Sequence, residues 1–95
     1  MPLEFEWGPK KAAINRRRHG VTFEEAATVF GNPLAAIFPD EDHSTAEQRE
    51  IIVGHSDQNR LLLVSFTERG DRIRIISARR ATKRERLDYE ENPIE

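Results

Sequence analysis

Ninety-five residues, 37% apolar and 34% charged, suffice for one small domain with a modest core, expected to span residues 1–95. With no cysteine the chain has neither a disulfide framework nor a thiolate metal site, and no apolar run approaches the roughly 20 residues of a membrane-spanning helix. The formal charge of −2 hides a segregation: residues 40–57 are acidic, whereas Lys10–Arg18 and Arg69–Arg86 are basic, which suits nucleic acid or a charged protein partner on one side.

Leu3–Trp7 alternates apolar and acidic side chains and is expected to be a short strand. The opening residues lack the basic flank and apolar length of a signal peptide, so a cytoplasmic location is expected. Gly8 and Pro9 stop the strand, and Pro9 suits the first position of a helix running to about His19, with Gly20 ending it. Lys11, Asn15, Arg18 and His19 fall on one face of that helix. Its apolar side is weak, so it is expected to lie on a sheet by its small residues.

Thr22-Phe23-Glu24-Glu25 has the spacing of a capping box, and the helix it opens ends at Gly31-Asn32-Pro33. Leu34–Phe38 reads as a strand stopped by Pro39, and Asp40–Ala46 as a polar loop. Glu47–His55 and Arg60–Thr67 read as strands, the second being the most apolar run and hence central. Ser56–Asn59 and Glu68–Asp71 carry turn chemistry.

The last segment is the most distinctive. Arg72–Ile75 alternates like a half-buried strand. Thr82 and Glu85 form a second capping box opening a final helix, which Asn92-Pro93 should end. Ser77–Ala81 reads as the junction between the two. From Arg69 to Arg86 there are eight Lys and Arg against two acids, a local charge of about +6. Lys83 and Arg84 sit in the first turn of the helix and Glu90 and Glu91 in its last, against the helix dipole. Two readings follow. The helix is a solvated one with Arg84–Asp88 and Arg86–Glu90 pairs. Or its N-terminus and the arginine forks form a cationic site for phosphate.

The order β-α-α-β-β-β-β-α with short connections predicts an α+β fold. Its antiparallel sheet of about four to five strands should carry helices on one face and leave the other for a ligand or partner.

Cleaving RNA without a metal requires a base for the 2′-hydroxyl, an acid for the leaving oxygen and positive charge at the developing phosphorane. Arginine suits the last role because its fork matches phosphate oxygens and stays charged. The chain supplies His19 beside Lys11 and Arg18, Glu47 two residues from Arg49, and Arg72, Arg74, Arg79 and Arg80. Glu47 and Arg49 should share one face of their strand. His19 has a plain alternative as a cap of its own helix. A metal site from His19, His43 and His55 has no supporting spacing. No metal or other cofactor is expected. Trp7 is a core residue or a base-stacking platform, and Phe38 and Phe66 are expected in the core.

The run Phe5-Glu6-Trp7-x-Pro9-x-Lys11-Ala12-x-x-Asn15-x-x-Arg18-His19-Gly20-Val21-x-Phe23-Glu24-Glu25-Ala26 resembles the opening signature of the BrnT toxins. Glu47-x-Arg49 followed by Gly54 is similar to the middle of that family. Arg72-x-Arg74-Ile75-Ile76-Ser77-Ala78-Arg79-x-Ala81-x-x-x-Glu85-Arg86-x-x-Tyr89 resembles its closing signature. Gly8 departs from it, standing where the family usually has Asp.

The resemblance implies a RelE-like fold and a ribonuclease toxin of a type II toxin–antitoxin system that stops translation. It implies a hetero-oligomer with a BrnA-like antitoxin, whose ribbon-helix-helix part binds operator DNA so that the complex represses its own promoter. The family's basic and polar motif residues fall on Lys11, Asn15, His19, Glu47, Arg49, Arg72, Arg74, Arg79 and Arg80. On this reading Arg79 and Arg80 bind phosphate, His19 and Glu47 transfer protons, and Arg49 belongs to the same catalytic group. Lys11, Asn15, Arg18, Arg72, Arg74, Lys83 and Arg84 contact RNA. The alternative is a non-catalytic binding module, a co-repressor acting through a DNA-binding partner.

Overall fold

The computed structural model describes residues 3–41 and 47–91. Its elements are β1 (Glu4–Glu6), α1 (Pro9–His19), α2 (Phe23–Thr28), β2 (Ala36–Pro39), β3 (Arg49–His55), β4 (Leu61–Arg69), β5 (Arg72–Arg80) and α3 (Lys83–Glu91), with a 3-10 turn at Val29–Gly31 after α2. The strands form one sheet in the order β1-β5-β4-β3-β2. All neighbours are antiparallel except β1, which pairs parallel to β5. The chain between β1 and β5 is most of the molecule, so no short loop dictates an antiparallel return there.

The core lies between α1, α2 and one face of the sheet. Val21, Phe23, Ala26 and Val29 bury against Ile52, Leu62, Val64, Phe66, Ile73, Ile75 and Ala78. Trp7 belongs to this side, half-buried and edge-on to Phe23 at 5.9 Å. At Gly54 β3 comes close to its neighbours: a Cβ there would sit 2.8 Å from the Ala35 Cβ. The expected strand at Leu34–Phe38 starts two residues later. Asn32 takes those residues into a turn, its carbonyl accepting from Ala35 N–H and its side chain from Leu34 N–H.

Helix α3 departs from the expected single helical face. It crosses the opposite side of the sheet, where Ile51, Val53 and Leu63 alternate with core residues Ile52, Leu62 and Val64. None of its residues is buried. Its polar sequence offers no stripe to sink into a core, so polar contacts help to hold it. The Tyr89 hydroxyl donates to the Leu34 carbonyl at 2.6 Å, and Glu85 pairs with Arg79. Phe38, expected in the core, is 51% exposed and lines the groove beneath α3. The predicted helix stop at Asn92-Pro93 lies outside the described residues. Among the described residues no helix is long and apolar enough to cross a membrane.

One irregularity decides what the sheet presents. Between Ser65↔Ser77 and Phe66↔Ile75 the β4–β5 register slips, leaving Ile76 without an opposite residue. This bulge resets the alternation, so that Ile75 and Ala78, three apart, both face the core. Arg79 then turns to the open face and Arg80 to the helical one.

Candidate functional site

The open face carries a polar pocket of about 360 Å3 where the C-terminal end of α1 meets the middle of the sheet. His19 enters from α1, Arg49 from the start of β3, Ser65 from β4, and Ser77 and Arg79 from β5; Asp40 closes one side. The Asp40 N–H donates to the Arg49 carbonyl at 2.9 Å, which ties the chain after β2 to the start of β3.

His19 owes its position to Asn15, one helical turn earlier. Strand β1 pairs with β5 only over Arg72–Arg74, so the edge of β5 beyond it lacks a strand neighbour on that side. Asn15 stands in for one. Its Oδ1 accepts from Ala78 N–H at 3.1 Å and its Nδ2 donates to the Ala78 carbonyl at 2.8 Å and to the Val21 carbonyl at 3.0 Å. The last turn of α1 is thereby fixed against β5, and Gly20, at φ 69°, ends the helix with its N–H on the Arg16 carbonyl. Asn15 is 5% exposed with its amide so occupied. The amide that was expected to contact RNA is thus spent on the backbone of Ala78 and Val21.

Arg79 is held by a carboxylate in the same fork geometry that would grip a phosphate. Its Nη1 and Nη2 donate to Glu85 Oε1 and Oε2 at 2.8 and 2.9 Å. Glu85 also completes its capping box: its Oε1 accepts from Thr82 N–H at 2.8 Å, while its own N–H donates to Thr82 Oγ1 at 3.1 Å. The Arg79 guanidinium, with these cap hydrogen bonds, pulls the Glu85 carboxyl down to about 2, and Glu85 in turn raises Arg79.

The remaining expected site residues lie elsewhere. Arg80 follows Arg79 along the strand and therefore projects to the other side, near enough to Glu25 to act on its charge. Glu47 precedes β3 and is engaged by Arg69, whose Nε and Nη2 donate to it at 3.0 and 3.1 Å. This pairing, with Arg49 contributing at longer range, lowers the Glu47 carboxyl. Glu47 does not line the His19–Arg79 pocket. Arg72 and Arg74 face the acids of β1: Arg72 lies 3.4 Å from Glu4, and Arg74 donates to Glu6 at 3.1 Å. Lys11 and Arg18 are exposed on α1, and Lys83 and Arg84 line a shallow surface depression along α3. Of the three histidines, His55 packs on Tyr89 at 6.0 Å and His43 lies outside the described residues.

Sequence reasoning missed Asp40, Ser65 and Ser77, since a short polar residue carries no signal until its face of the sheet is known. It also assigned Glu25 only to a cap. Thr22 Oγ1 does accept from Glu25 N–H at 3.1 Å, but the Glu25 carboxylate turns inward. There it accepts from Ser56 Oγ at 2.7 Å and from Arg60 Nε and Nη2, and the same Nη2 also reaches the Gly20 carbonyl at 3.2 Å. Arg60 keeps this buried carboxyl below its usual range against the opposing effect of burial.

Residues 7–85 match the family described as the ribonuclease toxin BrnT of type II toxin–antitoxin systems. The chain belongs to the BrnT family. The match covers His19, Arg49 and Arg79 and ends at Glu85, inside α3. The 1.1 Å crystal structure of the Brucella abortus ribonuclease toxin BrnT has the same fold, with a TM-score of 0.67 at 22% identity over 86% of this chain and 100% of that one. No curated protein matches the sequence. As a BrnT-family ribonuclease toxin of a type II system, the chain has an antitoxin partner.

Proposed function

We propose that the chain is an endoribonuclease whose reaction takes place in the His19–Arg49–Arg79 pocket. The observation that supports this most is the convergence of one imidazole and two guanidinium groups from three separate elements on a face that the core does not use. The His19 imidazole takes the proton of a 2′-hydroxyl. The 2′-oxygen then bonds to phosphorus, the P–O5′ bond breaks, and the leaving oxygen is protonated by water at the open mouth of the pocket. Arg79 and Arg49 bind the non-bridging oxygens and stabilise the extra charge of the phosphorane. Ser65 and Ser77 orient the phosphate. Two guanidinium groups supply the charge that many nucleases draw from metal ions, so cleavage should persist in EDTA. Lys11, Arg18, Arg72, Arg74, Lys83 and Arg84 steer the rest of the RNA, and Arg80 contributes only at a distance.

In the cell this activity arrests translation in the cytoplasm, with residues 1–95 acting as one toxin domain. A BrnA-like ribbon-helix-helix antitoxin neutralises it, and the complex represses its own promoter through operator DNA bound by the antitoxin. Growth after induced expression tests the reading. His19→Ala and Arg79→Ala should each lower cleavage by about 10²-fold or more and relieve arrest. Arg80→Ala should leave arrest intact. Equal arrest by wild type and Arg79→Ala would remove the pocket from the mechanism. Growth with unimpaired promoter repression by the wild type would instead mark a co-repressor without catalysis.

A further inference from the structure

The polar pocket has a larger neighbour. Beneath α3 runs an apolar groove of about 710 Å3, floored by Ala36, Phe38, Ile51, Val53 and Leu63. Ile51 and Leu63 line both cavities. Between them stands the Arg79–Glu85 pair, with Arg79 lining the pocket and Glu85 the groove. The pair is therefore a partition, and one half of it belongs to the helix that is least well held.

We infer that Glu85 occupies the seat of the substrate phosphate, and that RNA enters by displacing it from Arg79 as α3 swings off the sheet. This rests on the pocket reading given under Proposed function and adds to it the residue that sets how readily the pocket fills. A carboxylate and a phosphodiester both present two oxygens to a guanidinium fork, so the two compete for one site. The competition is intramolecular, so Glu85 is always at hand and the apparent affinity for RNA falls by the fraction of time that Arg79 is occupied. Displacement disrupts little core packing, because α3 buries no residue and its other contacts, such as the Tyr89–Leu34 hydrogen bond and the His55–Tyr89 ring contact, lie at the surface. It also joins the pocket to the apolar groove, opening room for a base flanking the scissile phosphate.

The test measures binding of a 2′-O-methyl oligoribonucleotide, which cannot be cleaved through its 2′-oxygen, by fluorescence anisotropy. Glu85→Gln keeps an oxygen for the Thr82 cap but removes the charge from Arg79. It should tighten binding about three- to fivefold, as expected when a partly exposed competing ion pair is weakened. Tyr89→Phe, which unties the far end of α3 and leaves the capping box alone, should move affinity in the same direction. Arg79→Ala should weaken binding about tenfold, and in that background Glu85→Gln should change nothing. If Arg79→Ala binds like the wild type, the pocket reading itself falls. If Arg79→Ala weakens binding while Glu85→Gln fails to tighten it, the pocket stands and the competition is overturned. Equal tightening by Glu85→Gln with and without Arg79 would trace the effect to overall charge and also overturn it.

Discussion

A side-chain amide carries the same donor and acceptor as a peptide unit, and Asn15 spends both on Ala78. Replacing it with Asp keeps the shape but loses the donor and sets a carboxylate against the carbonyls of Ala78 and Val21. Asn15→Asp should cost about 2–3 kcal/mol in urea unfolding. Activity should fall beyond what the unfolded fraction explains, because His19 loses its anchor. The acids give a second prediction at this scale. Glu25 and Glu85 both have folded-state pKa values below the ordinary 4.5 of a free Glu, Glu85 at about 2. The stability each adds is complete above pH 4.5 and lost as pH falls through the folded value. The melting temperature should therefore be flat near neutrality and drop between about pH 4.5 and 2. Glu85→Gln should show a shallower drop in that window, and an unchanged slope would mean its pair with Arg79 does not persist in solution.

Among the elements, the close approach of β3 to β2 rests on Gly54. An added Cβ would meet the Ala35 Cβ at 2.8 Å and Val29 Cγ1 at 3.1 Å. Gly54→Ala should cost about 1–3 kcal/mol by overpacking. Ala35→Gly in the same chain should restore part of this in chemical denaturation, since it removes the nearer atom. Most elements were legible because each had a local signal: Pro9 and Gly20 bounding α1, the Thr82–Glu85 box opening α3, and alternation along β3 and β4. The site was less legible for one reason. Counting by twos from Ile73 and Ile75 puts residue 79 on the core side, but the bulge at Ile76 reverses the count. Nothing local marks Ile76 as the extra residue, since bulge placement depends on the register with β4. Arg79 and Arg80, which sequence adjacency had placed in one pocket, part because β5 continues as strand through both where a junction was expected. Glu47 was read as a proton-transfer group beside Arg49; its pair with Arg69 could not be read, because that depends on Arg69 lying opposite the entry to β3.

Across the whole molecule, stability is distributed in layers. Strands β4 and β5 hold the centre of the sheet, and their inward residues Leu62, Val64, Phe66, Ile75 and Ala78 are at most 2% exposed. Helix α3 has no buried residue, and its contacts with the rest of the chain include a partly exposed ion pair, a Tyr89 hydrogen bond and the Tyr89–His55 ring contact. Opening α3 therefore exposes little apolar surface, whereas opening β4 or β5 exposes the core. Its charge order adds to the imbalance, with Lys83 and Arg84 at the positive end of its dipole. Backbone amides of α3 should exchange with deuterium through local opening, at least about 10²-fold faster than those of β4 and β5, which wait for global unfolding. Because α3 and the helical layer sit on opposite sides of the sheet, α1 and α2 should keep their protection while α3 exchanges. Hydrogen exchange read by mass spectrometry on the isolated chain distinguishes this from a uniformly cooperative fold. Protection of α3 equal to that of β5 would show contacts stronger than these exposed tethers provide.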